Sequence, residues 1–262
     1  MTTIRRLVNR RTRRASAAKA TGVVLWQGPS WYDGSNIVAI ATWKSSNRKT
    51  GNMIQIWILN ADLSPTTAAK RGNDAASCGS CAFRPFIQRL ARRPRASQAL
   101  KALLRSKSCY VNLGKAPNGI FRAYKRGRYP LWNGDLSLFH GRSTRFGAYG
   151  DPAFLPVSLV AGIAAASKSH TGYTHQWRDI RSSWARRFFM ASCDSAQDVA
   201  DARDMAWRYF YAKPKDAPVP ADSVVCPASN EAGSRTQCID CTLCDGVQYD
   251  LDRRKSITIN AH

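Results

Sequence analysis

Seven of the eight cysteines fall into two sets whose spacing could hold metal. Cys226, followed by Pro227, lies with Cys238, Cys241 and Cys244 inside 19 residues. A cubane [4Fe–4S] cluster has an iron at each of four corners. A tight loop with a cysteine every third residue reaches three of them, and a thiolate from elsewhere, often followed by proline, supplies the fourth. Zinc usually takes two separated Cys-x2-Cys pairs to build its tetrahedron, whereas here the pairs share Cys241. The expectation is an iron–sulfur cluster on these four thiolates, with zinc as the alternative. Cys78, Cys81 and Cys109, the last followed by Tyr110, form an incomplete second set. Three thiolates describe a cluster with one open iron, where a substrate or S-adenosylmethionine could bind. The alternatives are a zinc knuckle completed by a histidine (His140 or His175) or an acid, and a disulfide with a bystander. Cys193 stands apart and reads as a buried structural cysteine.

Other candidates are softer. Gly150-Asp151-Pro152 could offer backbone amides and one carboxylate to a ligand, or be a plain turn with Asp151 as helix cap. Tyr173, His175, Gln176 and Trp177 could stack on a base-like ligand, or form a partly buried aromatic edge. Asp151, Tyr173 and His175 are therefore the candidate catalytic residues, and Gly150 with Asp151 the candidate cofactor-binding pair. Gly114-Lys115-Ala116-Pro117 lacks the glycine pattern of a phosphate-binding loop. Four histidines offer no arguable Ser/His/Asp triad, and no paired-carboxylate motif is visible.

The elements that must position these residues alternate. Apolar runs at 23–26, 37–41 and 53–59 read as strands, and Ser64-Pro65 starts a helix. Residues 76–81 read as a loop carrying the first cysteine pair. Residues 85–107 have helical periodicity with a break at Pro94, 109–113 form a short apolar segment, 118–126 look helical, and 127–144 are mostly loop. Strands follow at 144–149, 172–175, 187–192, 207–211 and 256–260. Helices are expected at 156–167 and 194–205, the second capped by Asp194 or Ser195. This rhythm predicts an α/β fold with a largely parallel sheet. We expect a partial or distorted (β/α) barrel with a C-terminal cysteine-rich metal-binding segment, or alternatively an open doubly wound parallel sheet. In both, ligands gather at the carboxyl ends of the strands, where Asp151, His175, Ser192 and Cys226 fall. The expected organisation is a basic arm at 1–20, an α/β core at 21–225 with a basic helical insertion at 84–107, and a cysteine-rich segment with the final strand at 226–262.

Lys+Arg 40 against Asp+Glu 17 gives a net charge of +23. Two stretches contain no acid. Residues 1–20 carry Arg5, Arg6, Arg10, Arg11, Arg13, Arg14 and Lys19, and residues 84–107 carry Arg84, Arg89, Arg92, Arg93, Arg95, Lys101, Arg105 and Lys107. Such a field attracts polyanions, and nucleic acid is the expected partner; the bland alternative is a solvated tail and helix face. No apolar run approaches the roughly 20 residues of a membrane span. No apolar stretch follows Arg5-Arg6 as a secretory signal requires, so reduced thiolates in a cytoplasm are expected rather than disulfides.

The order Asn47…Lys49-Thr50-Gly51, Cys78…Cys81…Cys109-Tyr110, Gly150-Asp151-Pro152, Tyr173-Thr174, Cys226-Pro227 and Cys238-x2-Cys241-x2-Cys244 resembles an uncharacterised family encoded by bacteriophages and mobile elements, the phage "gene product 88"-like proteins. The resemblance runs from about Asn47 to Asn260 and excludes the basic arm. It implies a phage or mobile-element setting, hence a host-cell cytoplasm, and no particular reaction. A looser similarity is to radical S-adenosylmethionine enzymes, which pair a partial (β/α) barrel with three cysteines and often add an auxiliary cluster near the C-terminus. In those enzymes the three cysteines form a compact Cys-x3-Cys-x2-Cys, whereas here 27 residues separate Cys81 from Cys109 and the aromatic follows the last cysteine. The similarity implies S-adenosylmethionine as cofactor, with Gly150 and Asp151 near its amino group. The combined expectation is an iron–sulfur protein acting as a radical-type or redox enzyme on nucleic acid or a nucleotide; the alternative is a zinc-stabilised, non-catalytic nucleic-acid-binding protein.

Overall fold

A computed structural model describes residues 20–101, 104, 109–250 and 252–261. Arg5, Arg6, Arg10, Arg11, Arg13, Arg14 and Lys19 of the basic arm, and Arg105 and Lys107 of the second basic stretch, lie outside the described residues. The first elements are β1 (Gly22–Pro29), β2 (Asn36–Thr42), β3 (Ile54–Asn60), α1 (Pro65–Arg71), α2 (Ala75–Cys78), α3 (Pro85–Ala91), α4 (Gln98–Lys101) and α5 (Ala116–Lys125). They are followed by β4 (Ser143–Tyr149), α6 (Val157–Ala166), β5 (Ser169–Thr171), β6 (Tyr173–Thr174), β7 (Met190–Cys193), α7 (Ala196–Asp204), β8 (Tyr209–Lys213), β9 (Ser223–Val225), α8 (Cys238–Cys241) and β10 (Ser256–Asn260).

The chain is an α/β protein with two five-stranded sheets, ordered β1-β2-β3-β4-β5 and β6-β7-β8-β10-β9. β1, β2 and β3 pair antiparallel, and all other pairings are parallel. β3 is buried along both faces, which is why its text is an unbroken apolar run rather than an alternating one. α1 and α7 begin where a short polar side chain satisfies a free amide. Thr67 N donates to Ser64 Oγ at 3.3 Å, and Asp198 N donates to Ser195 Oγ at 3.1 Å. The largest core joins Ile54, Ile56 and Ile58 of β3 to Phe146, Val160, Ile163, Phe189, Val199 and Tyr209, so β-sheet and helices share one interior.

The two sheets meet at Gly172. β5 pairs with β4, β6 pairs with β7, and the single residue between them turns its N–H to Cys244 O at 3.1 Å. A Cβ there would sit 2.4 Å from Phe189 Cδ1, so no larger residue fits the junction. Gly150, directly after β4, has φ +80, and a Cβ on it would lie 2.2 Å from Ile58 O. Gly150→Ala is therefore expected to destabilise the fold by about 2 kcal/mol, read as a lower denaturation midpoint at unchanged slope. An unchanged midpoint would contradict this close approach.

The structure corrects several expectations. The sheet does not close into a barrel, because β1 and β9 each have one neighbour and stand at the edges. The strand expected at 187–192 begins only at Met190; Arg187 ends a 3-10 helix, Ile180–Arg187, entered through an Asp179 cap. Trp207 precedes β8 rather than opening it, because the chain leaves α7 through Ala206 with φ +56. Cys78 ends a short helix instead of lying in a loop. The strand β5 is too short and polar to be read from periodicity. Among the described residues no helix is long and apolar enough to cross a membrane.

Candidate metal centres

All eight cysteines are free thiols, and the disulfide reading of the first set does not hold here. Seven of them lie in two separate regions of the fold. Cys193 is buried and donates to Asp198 O at 3.4 Å, a structural contact.

The three-cysteine set sits on the chain leaving β3. Cys81 N donates to Cys78 O at 3.2 Å, and Cys109 N donates to Phe83 O at 2.8 Å, which carries the distant cysteine back beside the pair. Burial pushes the Cys78 thiol well above its ordinary range, and the charges of Cys81, Asp74 and Cys109 push it further. Burial likewise raises Cys109 to about 11. The ring of His175 lies beside Cys81. Its Nε2 lies 3.9 Å from Cys81 Sγ and 3.2 Å from Asp194 Oδ2. Burial opposes charge on this ring, but the Cys81 sulfur and Asp194 outweigh it and raise its pKa well above the histidine norm. Asp194 thus faces the site, and Ser195 takes the helix cap that sequence left open between them.

Asp151 holds this arrangement together. Its N–H donates to Ser77 O at 2.7 Å. Its Oδ1 accepts from Ala153 N at 3.0 Å, and its Oδ2 accepts from His175 N at 2.8 Å and Gln176 Nε2 at 3.2 Å. The carboxylate is buried, and its donors come from the ends of β4 and β6, so it positions His175 against the cysteine loop. Gln176 adds a second tie. It donates to Cys78 O at 3.3 Å and accepts from Ser80 N at 3.2 Å. Gly79 makes that tie possible, since with φ +53 its Cβ would lie 2.3 Å from Gln176 Oε1. A cavity of about 440 Å³ opens beside the set, lined by Ser80, Ala82, His175, Gln176, Ser192 and Asp194 among others.

The four-cysteine set is assembled from three directions. Cys226 follows β9, and its N–H donates to Thr258 O of β10 at 2.8 Å. Cys238 and Cys241 are the two ends of α8. That helix is docked on the 47–51 turn by Cys238 N to Lys49 O at 2.9 Å, Ile239 N to Thr50 O at 3.1 Å and Gln237 Nε2 to Arg48 O at 2.9 Å. Cys244 is pinned by the Gly172 amide. Cys226, Cys238 and Cys244 pack with Met190, Ile257 and Ile259. Burial raises the Cys244 thiol far above its usual range, and the charges of Cys226, Cys238 and Cys241 add to this, so the four sulfurs sense one another.

Tyr173 belongs to this second set. It sits beside Cys244, whose charge acts on its hydroxyl, and its ring packs on Phe210 with centroids 4.5 Å apart. The aromatic group read at 173–177 is thus divided. Tyr173 faces one cysteine set, and His175 and Gln176 face the other. Trp177 is buried in the main core with its Nε1–H on Ser192 O. His140 is exposed after the 3-10 helix Leu136–Phe139 and joins neither set.

Sequence reasoning did not find the residues that anchor the two sets. Arg84, counted with the basic stretch, is buried against Asp74, and only Arg89, Arg92, Arg93 and Arg95 of its described neighbours reach solvent. Arg208 is buried against Asp245. An arginine in a basic chain has no local signature that tells an inward side chain from an outward one.

Both sets are thiol-rich and drawn from distant segments, with Cys226 and Cys244 buried and Cys78, Cys81, Cys109, Cys238 and Cys241 partly exposed. Among the described residues, no three His, Cys, Asp or Glu side chains converge as the donors of one metal ion would. No protein-family model, curated protein or solved structure matches the chain.

Proposed function

We propose that the protein is a two-cluster iron–sulfur protein of phage or mobile-element type, acting as a redox or radical-type enzyme on a nucleic acid or nucleotide. The observation that carries this reading is the contrast between the sets. Cys226 and Cys244 are buried in an apolar cluster against which Cys238 packs, which supports a closed four-thiolate site, whereas Ser80 and Ala82, which flank Cys81, line a cavity, which supports an open one. In this reading the parallel strands of the two sheets together serve as a partial barrel, with the three-cysteine set near the carboxyl ends of β4 and β6. An iron left open there supplies a coordination position for an incoming donor, S-adenosylmethionine being one candidate. The protein's own part is positional. Asp151 and Gln176 fix the cysteine turn against β6, His175 and Asp194 present a proton-holding pair to the cavity, and Trp177 walls the interior behind it. The exposed Arg89, Arg92, Arg93 and Arg95 lie on the segment that joins Cys81 to Cys109. They support a polyanionic substrate approaching this side.

Anaerobically purified protein is expected to show broad absorbance near 400 nm and about eight irons per chain. Colourless protein with stoichiometric zinc would overturn the reading in favour of a zinc-stabilised binding module. The substrate class has its own test. Nucleic-acid binding should weaken steeply between 50 and 200 mM salt, and replacing Arg92, Arg93 and Arg95 with alanine should flatten that slope by about two to three units. Binding indifferent to salt would exclude the phosphate backbone as the target.

A further inference from the structure

Apart from Arg84 with Asp74, every ion pair among the described residues lies between residues 175 and 254. There, exposed arginines such as Arg178, Arg181 and Arg203 are given carboxylates. Between Asp74 and Asp135, by contrast, the chain has no acid at all. α5 lies inside that stretch. Lys115 precedes it, Arg122 stands within it and Arg126 follows it, all three exposed and none in an ion pair among the described residues. The opposite face of α5 is apolar. Phe121 is buried, and Ile120, Ala123 and Tyr124 pack with it against Val24, Val38, Ile40 and Leu59 of the first sheet. That inward face fixes the outward one: at 3.6 residues per turn, positions 115, 119, 122 and 126 form one stripe turned away from Phe121.

Gly119 is the odd member of this stripe. Glycine inside a helix is less stable than alanine, and here nothing in the chain requires it. Its φ is not positive, and a Cβ on it would have nothing within 4 Å. The chain keeps bare backbone among three cations at a place where its own packing does not ask for it. The charged surface continues over α1 and α3. Asn118 Nδ2 donates to Thr66 Oγ1 at 3.1 Å, and Arg89 Nη2 donates to Lys70 O. A cleft of about 380 Å³ there is lined by Thr66, Thr67, Lys70, Arg89 and Leu113 among others.

We propose that the outer stripe of α5, continuing to Lys70 and Arg89, is a docking surface for duplex nucleic acid held by its phosphate backbone. Unpaired cations in an acid-free stretch complement a polyanion. Positions 115, 119, 122 and 126 carry no aromatic ring, so they offer no platform for the unstacked bases of a single strand. Gly119 lets a sugar–phosphate chain come close to the helix backbone. The inference rests on the nucleic-acid part of the function proposed above, and not on its clusters.

The probe is a duplex of about 20 base pairs and arbitrary sequence, titrated onto the full chain at several salt concentrations. Arg122→Ala with Arg126→Ala should flatten the slope of log affinity against log salt by about two units. Gly119→Gln should keep or raise the denaturation midpoint, because glutamine favours the helix and meets nothing in the chain, yet weaken duplex binding about tenfold. A purely structural α5 cannot give stability retained with affinity lost. Tighter binding of the matching single strand, or of anionic lipid vesicles, than of the duplex overturns the inference. Duplex binding unchanged in the α5 variants but lost when Arg92, Arg93 and Arg95 become alanine overturns it too, and leaves the nucleic-acid reading standing. No binding of duplex or single strand by the parent chain overturns both.

Discussion

Arg208→Ala is expected to empty the four-cysteine set while leaving the three-cysteine set loaded. The Arg208 side chain is only 4% exposed. Its Nη1 donates to Asp245 Oδ1 at 2.8 Å and Asp245 O at 3.1 Å, and its Nη2 donates to Leu243 O at 2.9 Å and Lys255 O at 2.8 Å. One planar fork thus ties the residue before Cys244 to the residue before β10. Alanine would remove this donor from three carbonyls and leave the Asp245 carboxylate with Arg254 and Gln248. Breaking a buried pair of this kind costs about 3–5 kcal/mol, a large share of the roughly 5–15 kcal/mol that holds an ordinary domain. Arg208→Lys should restore little, since one ammonium cannot span carbonyls on both sides. The chain should retain about four of its roughly eight irons, those of the intact three-cysteine set. Full iron content and a parental denaturation midpoint in Arg208→Ala would show that the loop around Cys244 holds itself.

This dependence explains what could and could not be read in the sequence. The cysteine spacing was legible because it is local: Cys238 and Cys241 are the two ends of one helical turn, and Cys244 follows its Thr242 cap. Strand β3 and the helix after Ser64-Pro65 were legible for the same reason, since an apolar run and a cap are short-range signals. The partner of each set was not. Nothing near Cys244 in the sequence points to Arg208 or to the Gly172 amide, and nothing near Cys81 points to Asp194. Those contacts arise because β6 ends at one cysteine set and begins at the other, a fact of topology. Asp151 is the instructive case. Its position after a strand marked it as a ligand-facing residue, yet its carboxylate is occupied by Ala153, His175 and Gln176. The sequence located the important position, but only the geometry shows that Asp151 acts through His175.

Arg84→Ala should do the reverse of Arg208→Ala, emptying the three-cysteine set and sparing the other. Arg84 Nε and Nη2 donate to Asp74 Oδ1 at 3.1 and 2.9 Å, Nη1 donates to Gly79 O at 3.0 Å, and Nη2 donates to Gly72 O at 2.7 Å. The residues are 8% and 2% exposed, so this is a buried ion pair that also fixes the backbone on both sides of Cys78. Truncation would strand the Asp74 carboxylate, again at about 3–5 kcal/mol. The penalty should depend on pH. Burial already raises the Asp74 pKa against the pull of Arg84, and in the variant only burial remains. A carboxyl whose folded pKa lies above its unfolded value takes up a proton on folding, so the loss should be largest near neutral pH and shrink as pH falls through that raised pKa. The double variant Asp74→Leu with Arg84→Met removes both charges and should recover most of the stability. It should not recover iron at Cys78, Cys81 and Cys109, because the Gly79 and Gly72 carbonyls would still lack the fork that shapes the turn. If the double variant regains stability and iron together, the ion pair serves only to fill space. If it regains stability alone, the arginine is there to hold the cysteines in position.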